Sequence, residues 1–161
     1  MTESRRAAEF ETFYRSEWGR LAGTLRLMSG DAMTADEVAQ EAMTRAWMRW
    51  HRVAELEDRA GWVYVTAFRI ARKRSAREAK RPAPVPRPGE VTDIADRVAL
   101  ERALATLPIR QRQAVVARHV LGLDGPRAAA LLGMQPANFR QLLSRALRDL
   151  RVSPELLEGG A

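Results

Sequence analysis

Residues 126–150 read PRAAALLGMQPANFRQLLSRALRDL, which is the layout of two helices joined by a tight turn. Gly133 stands at the centre, where glycine permits the backbone that such a turn needs. Ala129, four residues earlier, supplies the small side chain that two closely crossing helices require. Pro136 suits the first turn of the second helix, because its missing amide would have no intrahelical partner there. The pattern predicts a helix-turn-helix.

The second helix of this unit carries side chains that can read DNA. In a helix-turn-helix this helix enters the major groove, where Asn, Gln and Arg make paired hydrogen bonds to base edges. The alternative is a helical hairpin whose polar face is only solvated. Four arginines against one acid between residues 138 and 151 favour the DNA-binding interpretation. The predicted DNA-binding residues of this helix are Asn138, Arg140, Gln141, Arg145 and Arg148.

Two further helices are predicted before the helix-turn-helix. The first begins at Asp93 and is closed by Leu107-Pro108, and the second extends from about Ile109 to Val120 and ends at Gly122 as a left-handed cap. The predicted inward positions of the first are Ile94, Val98 and Leu104. We therefore expect a C-terminal lobe over residues 93–153, followed by a frayed tail over 154–161.

A proline-rich segment separates this lobe from the rest of the chain. Residues 82–89 read PAPVPRPG, with four prolines in the first seven positions. Such a composition favours extended chain and cannot pack as a helix or a central strand. Residues 82–92 are predicted to be a semi-rigid linker between two lobes, the first of which covers residues 1–81.

The N-terminal lobe is predicted to contain three amphipathic helices. Apolar residues recur at steps of three or four in the first, up to a break at Gly30-Asp31. The second begins near Thr34, where Thr34 and Glu37 fit a capping box, and the third begins near Arg59 and stops before Pro82. The predicted inward positions are Phe10, Tyr14, Trp18, Leu21 and Leu25, then Val38, Ala42, Ala46 and Trp50, then Trp62, Thr66, Ile70 and Ala71. With no alternating period of two, the predicted fold is all-α.

The second and third helices have opposite charge. Residues 31–44 hold four acids and no Lys or Arg, whereas residues 68–81 hold seven basic residues and one acid. Arginines interleaved with aromatic rings suit single-stranded or unwinding DNA, because the rings stack on bases while the arginines follow phosphates. Alternatively, Tyr64 and Phe68 belong to the core and the acids only favour a helix N-terminus. The predicted DNA-binding residues here are Tyr64, Phe68, Arg69, Arg72, Lys73, Arg74 and Arg77.

Composition excludes several classes of protein. The net charge of +7 and pI of about 11.0 favour a nucleic-acid partner. No apolar run approaches the roughly 20 residues of a membrane-spanning helix, and residues 1–6 do not open a signal peptide, so a cytoplasmic protein without membrane insertion is expected. The chain has no cysteine and two isolated histidines, and it has neither a phosphate-binding glycine loop nor a recognisable catalytic triad. We expect no metal, no cofactor and no enzymatic activity.

Several segments, in order, resemble the extracytoplasmic-function sigma factors of bacterial RNA polymerase. Residues 35–47, ADEVAQEAMTRAW, are similar to that family's polymerase-binding helix, and residues 60–64, AGWVY, resemble the entry into its promoter-melting helix. Residues 103–108, ALATLP, and 112–116, RQAVV, resemble motifs of its second lobe. Residues 143–147, LSRAL, match the end of its recognition helix. The ordered set covers about residues 10–151.

The resemblance implies a division of labour between the lobes. The first would dock on core polymerase and capture the downstream promoter element, while the second would bind the upstream element as duplex. Because polymerase supplies the chemistry, no catalytic residue or cofactor is implied. The implied partners are RNA polymerase core and promoter DNA, and an anti-sigma factor or another regulatory protein stays open. The implied polymerase-binding residues are Asp36, Glu37, Gln40 and Glu41.

The chain departs from the family pattern at four positions: Arg69, Lys73, Pro126 and Leu142. The first two stand where Asn and Asp are usual, which adds positive charge but removes side chains suited to base capture. Leu142 stands where Arg is usual, which removes a phosphate contact. Two alternatives to an active sigma factor therefore remain: a degenerate sigma-like protein acting through protein contacts, and an unrelated helix-turn-helix transcriptional regulator.

Overall fold

The structure is a computed structural model that describes residues 2–29, 31–78 and 95–151. Every regular element in these ranges is helical, so the all-α prediction is confirmed. The helix α6 continues without a break into a π-helical turn over Val116–Val120. The helices are α1 (Glu3–Ser29), α2 (Ala32–Met48), α3 (Trp50–Val53), α4 (Arg59–Glu78), α5 (Ala95–Ala105), α6 (Ile109–Val115), α7 (Gly125–Leu131) and α8 (Pro136–Arg151). Within these ranges, no helix is long and apolar enough to cross a membrane.

We divide the helices in chain order into α1–α4 and α5–α8, which we call the first and the second lobe, although α5 packs mainly against α1. The predicted linker (82–92), the tail (154–161) and the predicted helix start at Asp93 with Ile94 lie outside the described residues. The lobes pack against each other, with α1 contacting α5 and α6, and α4 contacting α6 and α7. The predicted boundaries of the two lobes in the chain therefore stay predictions.

The start of α2 differs from the predicted capping box. Asp31, not Thr34, caps the helix: its Oδ1 accepts a hydrogen bond of 3.1 Å from the Met33 amide. Thr34 donates its hydroxyl to Asp31 Oδ2, so this hydroxyl holds the cap instead of forming it. This hydrogen bond is the main reason why the pKa of Asp31 lies below its usual value. The capping-box prediction was wrong because Asp31, three residues before Thr34, already accepts the hydrogen bond of the helix N-cap.

The first lobe is centred on α2. The predicted inner stripe is buried: Val38, Ala42 and Ala46 lie on α2, and Trp50 lies at the start of α3. From α1, Leu21 and Leu25 are buried as predicted. Phe10, Tyr14 and Trp18, also predicted to point inward, are partly exposed and lie against the core. Trp50 lies at the centre of an aromatic cluster, with ring centroids 5.2 Å from those of Phe10 and Phe13.

The buried face of α4 is rotated from the predicted one. Of the predicted inward residues only Ile70 is buried, whereas Trp62, Thr66 and Ala71 are only partly buried. The other buried residues of α4 are Val63, Tyr64, Ala67 and Phe68. The difference arises because α4 is covered by α2 on one side and by α6 and α7 on another. A helix between two neighbours buries a wider arc than a one-sided amphipathic pattern predicts.

The second lobe confirms the predicted turns. Gly122 and Gly133 have φ angles of 69° and 66°, the left-handed region that glycine adopts freely. The helix α8 begins at Pro136, and Ala129 is fully buried on α7, which packs against α8. On α5, Leu104 is buried as predicted, but Val98 is 37% exposed, so its predicted inward position was wrong: only one side of α5 is covered.

Candidate functional site

The predicted polymerase-binding residues share the outer face of α2. Asp36 is held by Arg26 of α1, whose Nη2 lies 2.8 and 3.0 Å from the two carboxylate oxygens. Gln40 Oε1 accepts a 3.2 Å hydrogen bond from the Tyr14 hydroxyl. These α1 partners fix the orientation of two side chains that the sequence alone would leave rotating in solvent.

The two glutamates on this face are bound by a single arginine from α4. Arg74 places Nη1 2.9 Å from Glu37 Oε2 and Nη2 3.1 Å from Glu41 Oε2. Burial alone would lower the pKa of Arg74, but the hydrogen bonds to the two carboxylates outweigh it and raise that pKa. Glu41 also pairs with Arg45, one turn later on α2. Arg74, predicted as a DNA contact, thus neutralises part of the acidic face in the free chain.

An apolar hollow adjoins these acids. Trp18 and Met33 line it together with the acidic side chains, and Met33 is 72% exposed. Trp18 stacks on Tyr14 at 5.2 Å between ring centroids with planes 16° apart. A surface of this kind, an apolar patch rimmed by charge, is typical of a protein-binding site. Sequence reasoning assigned Trp18 to the core and missed Met33, whose exposure no local pattern indicates.

The basic residues of α4 have three different environments. Arg69, Lys73 and Arg77 are exposed and make no ion pair with any described residue. Arg74 lies on the acidic face of α2. Arg72 is partly buried and donates a 3.1 Å hydrogen bond to the Leu132 carbonyl in the second lobe. Burial, reinforced by the nearby charges of two other arginines, lowers its pKa.

The two aromatic residues predicted to stack on bases are buried. Phe68 is fully buried and Tyr64 is 7% exposed. Their rings contact each other at 6.5 Å between centroids, and burial raises the pKa of the Tyr64 hydroxyl. In this arrangement neither ring can stack on a base. Of the two alternatives left open by the sequence, both residues therefore belong to the core in this structure.

The helix α8 presents a polar face to solvent. Asn138, Gln141, Arg145 and Arg148, spaced by three, four and three residues, lie along one side of the helix and are exposed. Arg140 is also exposed but stands further round the helix axis. Phe139 and Ala146 are buried on the opposite side, against α6 and α7. One helix thus combines a buried apolar face with an exposed face that carries the side chains predicted to read bases.

Comparison with known proteins identifies the family. Residues 97–150 match the family model of sigma-70, region 4, which corresponds to the second lobe. The RNA polymerase sigma-E factor of Streptomyces avermitilis is 30% identical over 151 residues, covering 89% of this chain and 83% of that protein. The ECF RNA polymerase sigma factor SigL of Mycobacterium tuberculosis is 27% identical, covering 78% of this chain and 77% of that protein.

A solved structure shares the fold. The sigma factor RpoE of Bartonella quintana, in complex with the anti-sigma factor NepR, matches with a TM-score of 0.71 at 18% identity, covering 95% of this chain and 99% of that one. The matched relatives extend over both lobes, which leaves no support for an unrelated helix-turn-helix regulator. This chain therefore belongs to the extracytoplasmic-function sigma factors, the initiation factors that direct bacterial RNA polymerase to promoters.

Proposed function

We propose that the two lobes divide promoter recognition between them. The second lobe reads the upstream promoter element as duplex through α8, and the first lobe docks on core polymerase and captures the downstream element with α4. The observation that carries this proposal is the exposed face of α8, where base-reading side chains stand on a helix held by a buried apolar side. The proposed lobe boundaries are residues 1–81 and 93–153, with the linker over 82–92.

Docking on polymerase is assigned to the outer face of α2. Asp36, Glu37, Gln40 and Glu41 offer carboxylate and amide acceptors next to the apolar hollow of Trp18 and Met33. A basic helix with apolar side chains on the partner would complement both the charge and the hollow. The bound arginines fix the acids in place, so the partner meets an ordered surface.

The helix α4 is assigned to the DNA backbone more than to its bases. The departures Arg69 and Lys73 are exposed cations, which attract phosphates regardless of sequence. Arg77, also exposed, extends the same row by one turn. Since Tyr64 and Phe68 are buried, we assign no stacking role to them in the closed arrangement seen here.

The other two departures from the family pattern, Pro126 and Leu142, have local structural roles and leave the proposed DNA-binding face unchanged. Pro126 lies in the first turn of α7, which Asp124 caps by accepting a 2.9 Å hydrogen bond from the Arg127 amide. Leu142 is partly buried against the core, so this position contributes packing where an arginine would contact phosphate. Neither change alters the exposed face of α8.

The protein contributes recognition, and polymerase contributes the chemistry of RNA synthesis. We therefore assign it no catalytic residue, and its place of action is the cytoplasm, where polymerase works. An anti-sigma partner belongs to the proposal as well, since the Bartonella structure of the same fold is a complex with one.

Reconstituted transcription tests this assignment. Purified protein is added to bacterial core polymerase with a pool of genomic fragments as template. Discrete new start sites are expected, and they supply the promoter sequence directly. Gln40→Ala combined with Glu41→Ala should abolish binding to polymerase, whereas the combination of Asn138→Ala and Gln141→Ala should preserve that binding and lose the start sites. Wild-type protein that binds polymerase without start sites, or does not bind it, would refute the proposal.

A further inference from the structure

Methionine side chains supply all the sulfur of this chain, which has six methionines and no cysteine. Their exposure to solvent differs sharply. Met28 and Met43 are 1% exposed. On α2, near its two ends, Met33 is 72% exposed and Met48 is 66% exposed. Since oxidation of a thioether requires that the oxidant reach the sulfur, we expect the two exposed methionines to react before the two buried ones.

The start of α2 fixes the position of Met33. It is the second residue of the helix, and its amide donates the 3.1 Å hydrogen bond to Asp31 Oδ1 that caps the helix. Its side chain lines the hollow together with Trp18, beside the acids assigned to polymerase docking. Met48, the last residue of α2, does not line this hollow. The helix therefore carries one exposed thioether in the proposed docking face and a second one outside it.

Oxidation of Met33 should affect docking and folding differently. The thioether is apolar and flexible, so it adapts to a partner surface that covers it. In the free chain water reaches this side chain, so the polar sulfoxide would stay hydrated and leave the core undisturbed. In the docked complex the sulfoxide would be taken out of water, and burial of a polar group without a hydrogen-bond partner is unfavourable. The cost of oxidation therefore falls on docking.

We propose that Met33 is an oxidation site that controls docking on polymerase: its sulfoxide weakens docking, and the docked complex shields the thioether from the oxidant. The oxidant is a peroxide. With hydrogen peroxide, a sulfur lone pair attacks one peroxide oxygen, and the S–O bond forms as the O–O bond breaks. The displaced hydroxide takes the proton of the transferred hydroxyl and leaves as water, so the sulfur is oxidised by two electrons.

The modification is reversible. A methionine sulfoxide reductase returns the sulfoxide to the thioether, while two thiols are oxidised to a disulfide and the oxygen leaves as water. The inference rests on the docking assignment under the proposed function.

Shielding by polymerase is measured on the full chain. The free protein and its complex with core polymerase are treated with hydrogen peroxide, and peptide mass spectrometry gives the rate of oxidation at each methionine. In the free chain Met33 and Met48 should be oxidised first. In the complex, oxidation of Met33 should slow severalfold while that of Met48 continues. Equal rates at Met33 with and without polymerase overturn the proposal.

The effect on docking is measured as the affinity for core polymerase, with each variant compared with its own reduced form. Oxidation should weaken binding of the wild type about tenfold. Met33→Leu, which keeps an apolar side chain of similar volume without sulfur, should lose this sensitivity. Met48→Leu, the matched control on the same helix, should keep it. Treatment of the oxidised wild type with a methionine sulfoxide reductase and a thiol should restore its affinity.

The outcomes separate this inference from the docking assignment. If the reduced wild type does not bind polymerase, the docking assignment fails and the inference fails with it. If the reduced protein binds and oxidation weakens the wild type and Met33→Leu equally, or weakens neither, the inference fails and docking stands. The unfolding temperature of the oxidised wild type should stay close to that of the reduced protein, and a large fall would trace the loss of binding to the core and overturn the proposal.

Discussion

Arg74 of α4 and Glu41 of α2, 33 residues apart in the chain, are joined by a 3.1 Å ion pair between Nη2 and Oε2. The same guanidinium holds Glu37 at 2.9 Å. The basic helix assigned to DNA and the acidic helix assigned to polymerase are therefore not independent surfaces. One positive charge on α4 is paired with two negative charges on α2.

Replacing Arg74 by alanine should expose this coupling. The free energy of unfolding should fall by less than about 1 kcal/mol, because the pairs are partly exposed to solvent. The association rate with core polymerase should rise severalfold at low salt, because Glu37 loses its arginine partner and Glu41 keeps only Arg45, so that the acidic face attracts a basic partner more strongly. Rapid-mixing measurements of association at two salt concentrations check both the rise and its loss by screening.

Arg77→Ala is the matched control for this change. It removes the same charge from an exposed position one turn along α4, but it leaves Glu37 and Glu41 paired. Equal association rates for Arg74→Ala and Arg77→Ala would mean that net charge alone matters and that the ion pairs do not couple the two helices.

On α8, position around the helix should decide the effect of each substitution. Gln141→Ala and Arg145→Ala lie on the shared face, and each should cost about 1–3 kcal/mol in binding to the promoter duplex found by transcription. Arg140→Ala lies off that face and should weaken all sequences alike, as a phosphate contact does. Competition binding of specific against scrambled duplex measures the difference. Undiminished initiation by Arg140→Ala combined with Gln141→Ala would argue strongly against DNA reading by this helix.

Sequence reasoning predicted best what local chemistry decides. Gly122, Gly133 and Pro136 fix backbone conformation by themselves, and the turns and the start of α8 followed. The apolar period of α2 also predicted its buried residues Val38, Ala42 and Ala46, although this helix packs against both α1 and α4. These features required no knowledge of the distant parts of the chain.

The errors about the site residues came from tertiary contacts, whereas the error at the start of α2 was local. Phe68 looked equally suited to bases and to the core, and its burial depends on how α4 packs against the other helices, which no local period encodes. In the sequence, Arg74 is one of a row of basic residues on α4. Its ion-pair partners, Glu37 and Glu41, lie on α2. The roles of single residues in the site were therefore less predictable than the helices that carry them.

The cap at the start of α2 predicts a pH-dependent contribution to stability. Asp31→Ala should lower the free energy of unfolding by about 0.5–2 kcal/mol at neutral pH. Since the pKa of Asp31 is lower in the folded chain, its contribution is complete above its ordinary pKa of 3.8 and fades as the pH falls through the lowered value. Asp31→Asn keeps a capping acceptor but cannot titrate, so the wild type should lose stability relative to it between about pH 5 and pH 3. Chemical denaturation across that range is the measurement, and parallel pH profiles for the two proteins would contradict it.

The crossing of α7 and α8 should not tolerate a larger side chain. Ala129 is fully buried at this crossing, whereas its neighbour Ala130 is exposed on the same helix. Ala129→Leu should therefore cost about 1–3 kcal/mol or more through overpacking, and Ala130→Leu should change stability by less than about 0.5 kcal/mol. Thermal denaturation of both variants checks this, and similar losses would mean that the helices do not cross closely at Ala129.

Two glycines should respond to alanine in opposite directions. Gly133 has a φ of 66°, so alanine there must adopt a left-handed conformation, at a cost of about 1–2 kcal/mol, although no atom beyond the adjacent residues lies within 4 Å of the added carbon. Gly19 lies inside α1 in the same open space but with helical backbone, so Gly19→Ala should stabilise the chain by about 0.5–1 kcal/mol. Because neither substitution creates a steric contact, the difference between their free energies of unfolding isolates backbone conformation. Equal effects of the two substitutions would show that the turn before α8 does not depend on a left-handed residue, which would remove the geometric basis for placing α8 in the major groove.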